Sequence, residues 1–236
     1  MRLPHEKPIL VVDDEPKIVE VVQSYLENAG YQTVCAFTGN EALAQFEAHS
    51  PQLVILDLML PDISGEDILR TLRRKSRVPV ILLTAKVEEE NILHGLNIGA
   101  DDYVTKPFSP RQLVARVDAI LRRTADAPDP DTHAFSINHG EMVIDNLRHE
   151  VRKNGVPVAL TLTEYKLLMT MVKYPAKAFT REELIAFALG DEYEGYDRVI
   201  DTHIKNLRQK IEEDVRNPRL ILTVHGIGYR FGGESA

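Results

Sequence analysis

The side chains best placed for chemistry in this sequence are Asp13, Asp14, Asp57, Thr84 and Lys106. Each stands just beyond a short apolar run. Asp13 and Asp14 follow Ile9–Val12, Asp57 follows Leu53–Leu56, Thr84 follows Val80–Leu83, and Lys106 follows Tyr103–Thr105. Singly, each has an ordinary explanation: a helix cap for an Asp, a turn hydroxyl for Thr84, a solvated charge for Lys106. If the runs are strands of one sheet, all of them fall on one edge, which chance explains poorly. Crowded carboxylates repel and raise one another's pKa. A hard divalent cation such as Mg2+ relieves this, since it takes one or two carboxylates and keeps several waters. A lysine opposite the metal neutralises charge on an incoming phosphoryl group, and a hydroxyl bonds one of its oxygens. A carboxylate can itself accept that group as an aspartyl phosphate. Asp57, at the end of "LVILD", is the candidate nucleophile.

The elements that must position these groups alternate up to about residue 123. Strand candidates are Ile9–Val12, Gln32–Phe37, Leu53–Leu56, Val80–Leu83 and Tyr103–Thr105. Helix candidates are Pro16–Asn28, Asn40–His49, Gly65–Arg73, Glu88–Ile98 and Pro110–Arg123. Pro16 suits the first turn of a helix and Gly30 the position past its end. This alternation predicts an α/β fold, a doubly wound five-stranded parallel sheet with helices on both faces. In such sheets ligands sit beyond the carboxyl ends of the strands.

Composition limits the rest. The chain has 236 residues, 44% hydrophobic, with 28 basic and 36 acidic side chains. Its net charge of −8 argues against indiscriminate coating of nucleic acid and leaves room for a local basic face. A single cysteine, Cys35, permits no internal disulfide and reads as a half-core residue. No run is long enough for a signal peptide or a membrane span, so a soluble, cytoplasmic protein is expected.

Residues 124–133, "TADAPDPDTH", have linker composition and separate a first domain, 1–123, from a second, 134–236. In the second, Asn154-Gly155 between two alternating runs predicts a hairpin. Helical periodicity in "TEYKLLMTMVKY" ends at Pro175. "TREELIAFALG" opens with Thr180 and Glu183 at capping-box spacing. A third helix is predicted over about 197–213, and "LILTVHGIGYRF" closes as a hairpin around Gly226–Gly228. Residues 131–236 hold 14 basic and 16 acidic side chains, so DNA binding requires a local face. In the third helix Ile200, Ile204, Leu207 and Ile211 form an apolar stripe. Opposite it the periodicity places Arg198, Thr202, Lys205, Asn206 and Gln209, flanked by Asp201, His203 and Arg208. Arg reads guanine, Asn or Gln adenine, Asp cytosine, and a Thr methyl touches thymine. The same periodicity also describes a helix with a solvated polar face.

"ILVVDDEPKI", "LVILDLMLPDISG", "VPVILLTAK" and "GADDYVTKPF" resemble, in order and spacing, the receiver domain of two-component response regulators over residues 8–123. "LTLTEYKLL", "TREEL", "RVIDTHIKNLRQKIE" and "GIGYRF" resemble the winged helix-turn-helix effector domain of the OmpR/PhoB family over residues 135–232. The resemblance implies a flavodoxin-like receiver in which Asp57 accepts phosphate from a sensor histidine kinase. It implies Mg2+ on Asp14, Asp57 and the backbone carbonyl of Met59, with Asp13 acting through water. Thr84 and Tyr103 would be the switch pair, Tyr103 following Thr84 inward on phosphorylation, and Lys106 would touch the phosphoryl oxygens.

For the second domain it implies binding of double-stranded promoter DNA as dimers on direct repeats roughly one helical turn apart. Arg198, His203, Lys205 and Arg230 would position on phosphates, and Asp201, Thr202, Asn206 and Arg208 would read bases. The acidic, aromatic segment 190–197, "GDEYEGYD", falls where this family contacts RNA polymerase. Asp101, Asp102, Arg116 and Arg123 fit the charged pairs of the family's receiver dimer, a homodimer formed on phosphorylation. Ile92 and Gln112 depart from that pattern, standing where a basic residue and a Glu are common, and Ala176 stands where Gly is frequent. The implied protein is a switch and not an enzyme. A metal-dependent phosphatase with an Asp nucleophile usually has a second Asp two residues on, where this chain has Met59. An output domain for single-stranded RNA is disfavoured, because the polar helix face has no stacking aromatics.

Overall fold

The computed structural model describes residues 7–85, 95, 96, 98–125, 134–146, 148–188 and 198–234, with backbone alone at 122–125 and 198. The chain divides into two compact units, Met1–Arg122 and Arg123–Ala236.

In the first, β1 (Ile9–Val12), β2 (Thr33–Ala36), β3 (Leu53–Asp57), β4 (Val80–Thr84) and β5 (Asp102–Thr105) pair in parallel in the order β2-β1-β3-β4-β5. Around them run α1 (Pro16–Asn28), α2 (Gly39–His49), α3 (Gly65–Lys75) and α4 (Pro110–Ala125). The helix candidate Glu88–Ile98 lies outside the described residues apart from 95, 96 and 98, and so does Ile92. Every residue of β1, β3 and β4 is buried, which is why those segments are apolar without alternation. Strand order reverses between β1 and β3, opening a crevice at their carboxyl ends. Asp57 and Thr84 are the last residues of their strands and not the first beyond them, because the ladder continues through Asp57–Leu83 and Thr84–Thr105.

Local chemistry fixes the turns around that crevice. Thr38 and Ser64 cap α2 and α3, each accepting from the backbone N–H three residues on. Asp62 reaches back to the start of α2: its carboxylate accepts from Gly39 N at 2.7 Å, Asn40 N at 3.0 Å and Asn40 Nδ2 at 2.8 Å. The backbone bonds from Asn40 and then Gly39 hold its pKa down to about 2. Gly65 lies against the end of β3, where a Cβ would stand 2.3 Å from the Asp57 carbonyl oxygen.

The second unit opens with an antiparallel sheet of β6 (Ala134–Ile137), β7 (Met142–Asp145), β8 (Glu150–Lys153) and β9 (Val156–Val158). Asn154 and Gly155, at φ of 49° and 78°, make the tight turn expected between β8 and β9. The helices are α5 (Leu162–Lys173), α6 (Arg181–Ala188) and α7 (Arg198–Ile211). Thr180 and Glu183 exchange the reciprocal bonds of a capping box at the start of α6. Thr161 and Glu164 do the same for α5. β10 (Phe179–Thr180), β11 (Ile221–Val224) and β12 (Gly228–Phe231) form a second sheet in the order β10-β12-β11. All of the α7 stripe, Ile200, Ile204, Leu207 and Ile211, is buried. Each such side chain contributes about 1.5–3 kcal/mol against exposure.

Candidate functional site

The crevice of the first unit gathers the residues singled out from the sequence. One oxygen each from Asp13, Asp14 and Asp57 lies within 4.8 Å of the others. Asp13 and Asp57 are buried and Asp14 is exposed, so the cluster has a closed side and an open one. Lys106 Nζ joins the buried pair, 2.6 Å from Asp13 Oδ2 and 2.7 Å from Asp57 Oδ2. The other oxygens are oriented by backbone: Glu15 N donates to Asp13 Oδ1 at 2.9 Å, and Met59 N to Asp57 Oδ1 at 3.1 Å. Burial pushes the Asp13 carboxyl above its ordinary pKa, although the Lys106 hydrogen bond opposes the shift. Burial pulls the Lys106 ammonium down, but its bonds to Asp13 and Asp57 outweigh this and hold it above its usual value. The arrangement keeps an acceptor carboxylate beside a fixed cation. An all-oxygen donor set of this size fits a hard divalent ion.

Thr84 ends β4 and is buried. Tyr103, on β5, is 7% exposed. The inward movement expected of Tyr103 therefore has no exposed starting position in this structure.

The charged residues expected to pair two copies of the chain are engaged within one. Asp101 is fully buried and bonds Arg73 Nη2 at 2.8 Å and the Val80 amide at 3.0 Å. Its place in a dimer face is corrected: burial removes it from any surface. Asp102 is 2% exposed and pairs with Arg116 Nη1 at 2.9 Å. Between copies, that pair would first have to open. The side chain of Arg123 lies outside the described residues.

In the second unit α7 follows α6 as the second helix of a helix-turn-helix, and β11 with β12 makes the wing. The polar face is narrower than the periodicity predicts. Thr202, His203 and Asn206 are 7%, 1% and 5% exposed. All three are buried in this structure, so the buried arc of α7 extends past one side of the apolar stripe as far as Thr202. Asp201 and Arg208, on the other side, are also committed inside the domain. Asp201 Oδ1 accepts from Arg181 Nε at 2.8 Å and Tyr229 Oη at 2.7 Å. Arg208 bonds the Ile221 carbonyl through Nη2 at 2.7 Å and Thr223 Oγ1 at 2.9 Å. Lys205, Gln209 and Arg230 remain exposed. Arg198 is described by its backbone alone, and segment 190–197 lies outside the described residues. Arg181 and Tyr229 were not legible as partners of α7, since they lie 20 and 28 residues from Asp201.

Residues 9–118 match the model of the response regulator receiver domain, and residues 155–231 that of the C-terminal domain of transcriptional regulatory proteins. The DNA-binding response regulator MtrA of Mycolicibacterium smegmatis is 41% identical over 224 residues, covering 95% of this chain and 96% of that protein. The sensory transduction protein RegX3 of the same organism is 41% identical over 225 residues, covering 95% and 99%. Among solved structures, the Thermotoga maritima response regulator DrrB, an OmpR/PhoB homologue, is 35% identical with a TM-score of 0.52, covering 97% of this chain and all of that one. A mutant of RitR has a TM-score of 0.75 at 26% identity, covering 95% and 98%.

A response regulator receiver domain followed by a winged helix-turn-helix defines a DNA-binding response regulator of two-component systems. Within that class the chain belongs to the OmpR/PhoB family.

Proposed function

We propose that this regulator is switched by phosphorylation of Asp57. The observation that carries the reading is the buried Asp57 carboxylate beside Lys106 at the sheet's switch point. The donor is the phosphohistidine of a sensor kinase. An Asp57 oxygen forms the new O–P bond, the P–N bond breaks, and the imidazole leaves with the electron pair. Lys106 balances charge on the transferred group, and Thr84 and Tyr103 transmit its presence. Asp14, Asp57 and the Met59 carbonyl would hold Mg2+, with Asp13 acting through water. When bound, the ion supplies the positive charge that lets an anionic donor approach clustered carboxylates. The chain accepts a phosphoryl group and is not an enzyme of turnover.

Phosphorylation then favours a homodimer through the receiver, and two effector domains engage direct-repeat promoter sites. Linking two weak readers raises occupancy through effective concentration as much as through new contacts. RNA polymerase is the protein partner and the cytoplasm the compartment. Among the described residues no helix is long and apolar enough to cross a membrane. The test is a mobility shift on duplex and single-stranded DNA with and without a small phosphoryl donor. Salt-sensitive retention of duplex that tightens with the donor supports the reading. Equal affinity in both conditions refutes the switch, and preference for single strands refutes the target.

A further inference from the structure

The α7–wing junction ties two expected base readers, Asp201 and Arg208, to two residues that the DNA-reading assignment does not use, Arg181 and Tyr229. Tyr229, on β12, is buried, with Arg181 of α6 and Arg208 of α7 over its ring at 5.7 and 5.5 Å from the centroid. Both lie within cation–π range. The Tyr229 hydroxyl donates to Asp201 at 2.7 Å, and Arg181 donates to the same oxygen. Arg208 continues the chain of contacts to β11 through the Ile221 carbonyl and the Thr223 hydroxyl. A ring on the wing, a carboxylate and a guanidinium on the recognition helix, and a second guanidinium on the preceding helix thus close one network over three elements.

We propose that Arg181, Asp201, Arg208 and Tyr229 are positioning residues that brace the recognition helix against the wing, and that Asp201 and Arg208 serve recognition through this brace instead of reading bases. The inference rests on the DNA-binding reading of the second unit. Direct contact with DNA falls to exposed groups such as Lys205, Gln209 and Arg230. Two surfaces that enter neighbouring grooves need a fixed mutual geometry, because a small misplacement at one weakens contacts at both. Apolar packing is non-directional, so the stripe of α7 does not by itself fix the helix's rotation about its axis. Asp201 and Arg208 stand seven residues apart, two turns along one edge of the helix, and their charge-assisted bonds hold that edge at two levels against that rotation.

The test uses full-length protein carrying Asp201→Asn, Tyr229→Phe or Arg181→Gln. Tyr229→Phe keeps the ring and its packing and removes only the hydroxyl. Spin labels introduced by Gln209→Cys and Ile227→Cys in a Cys35→Ser background report the distance between α7 and the wing tip. The expected result is a wider distance distribution in Asp201→Asn and Tyr229→Phe than in the parent. On duplexes that the parent selects from a random pool, Asp201→Asn weakens binding without changing base preference at any single position. Arg181→Gln leaves the slope of affinity against salt unchanged. Unchanged label distances overturn the brace. So does altered preference at one base pair for Asp201→Asn, or a salt slope lower by about 0.9, the signature of one lost phosphate contact. Failure of the parent to select any duplex refutes the DNA-binding reading, while the label distances still decide the brace.

Discussion

Two arginines of α3 look alike in sequence, and their ion pairs differ in what they contribute. Arg73 is 10% and Asp101 0% exposed as side chains, whereas Arg70 and Asp67 are 46% and 61% exposed. Removing one partner of a buried pair leaves an uncompensated charge. Arg73→Met is therefore expected to cost about 3–5 kcal/mol. Arg70→Met is expected to cost less than about 1 kcal/mol, since water and salt screen an exposed pair. Urea unfolding of both variants checks the contrast, and equal losses would contradict it. At the crevice, Lys106→Met removes the cation shared by Asp13 and Asp57. Transfer from a small phosphoryl donor should slow about 10²-fold, the effect of deleting one charge-stabilising donor. Stopped-flow rates check this, and an unchanged rate would remove Lys106 from the chemistry. The crevice residues were legible because each ends a strand or lies within two residues of its end, so chain order alone placed them on one edge. Arg73 was not, because its partner arrives from another element 28 residues away.

Among the elements, the loop after β3 is held from both ends. Asp62 accepts from the first amides of α2, and Gly65 packs its backbone against the Asp57 carbonyl. Gly65→Ala places a methyl group where backbone already stands. The expected cost is about 1–3 kcal/mol, with the end of β3 displaced. A lower melting temperature with slower phosphorylation fits, and parental values for both would contradict the packing. Asp62 carries a pH signature. Its folded pKa, about 2, lies below its ordinary value of 3.8. Its contribution is complete above the ordinary value and is lost as pH falls toward 2. Asp62→Asn should flatten the acid limb of the stability curve over that window, as measured by denaturant titration at several pH values. The parallel strands were legible as unbroken apolar runs, and the β8–β9 turn from Asn154-Gly155. β6 and β7 were missed because they are four residues long and joined through Asn138, His139 and Gly140, all at positive φ. The Thr161–Glu164 cap carries the same spacing as the Thr180–Glu183 cap that was read. The face of α7 was misread because a periodicity argument marks polar residues as exposed. Thr202, His203 and Asn206 are buried along with the stripe.

For the molecule as a whole, charge and modularity decide what is testable. A chain of net −8 approaches an anionic duplex against its mean field, so affinity depends on a few exposed cations and on joining two copies. Sedimentation should show a monomer that becomes a dimer with a phosphoryl donor and Mg2+. A monomer in both conditions would contradict the dimer. Two units were expected from the composition of residues 124–133 and the change of pattern on either side, and the chain does divide into two compact units, at 122/123. The engagement of Asp101 and Asp102 inside one chain was not legible, because acidic residues at the start of a strand carry no mark of their partners. The most direct test of the central claim is the intact mass of the full-length protein and of Asp57→Ala after incubation with a small phosphoryl donor and Mg2+. The expected result is a single phosphoryl adduct on the parent and none on the variant. An adduct that persists in Asp57→Ala, or a parent that acquires none, would contradict the assignment of Asp57 as the switch.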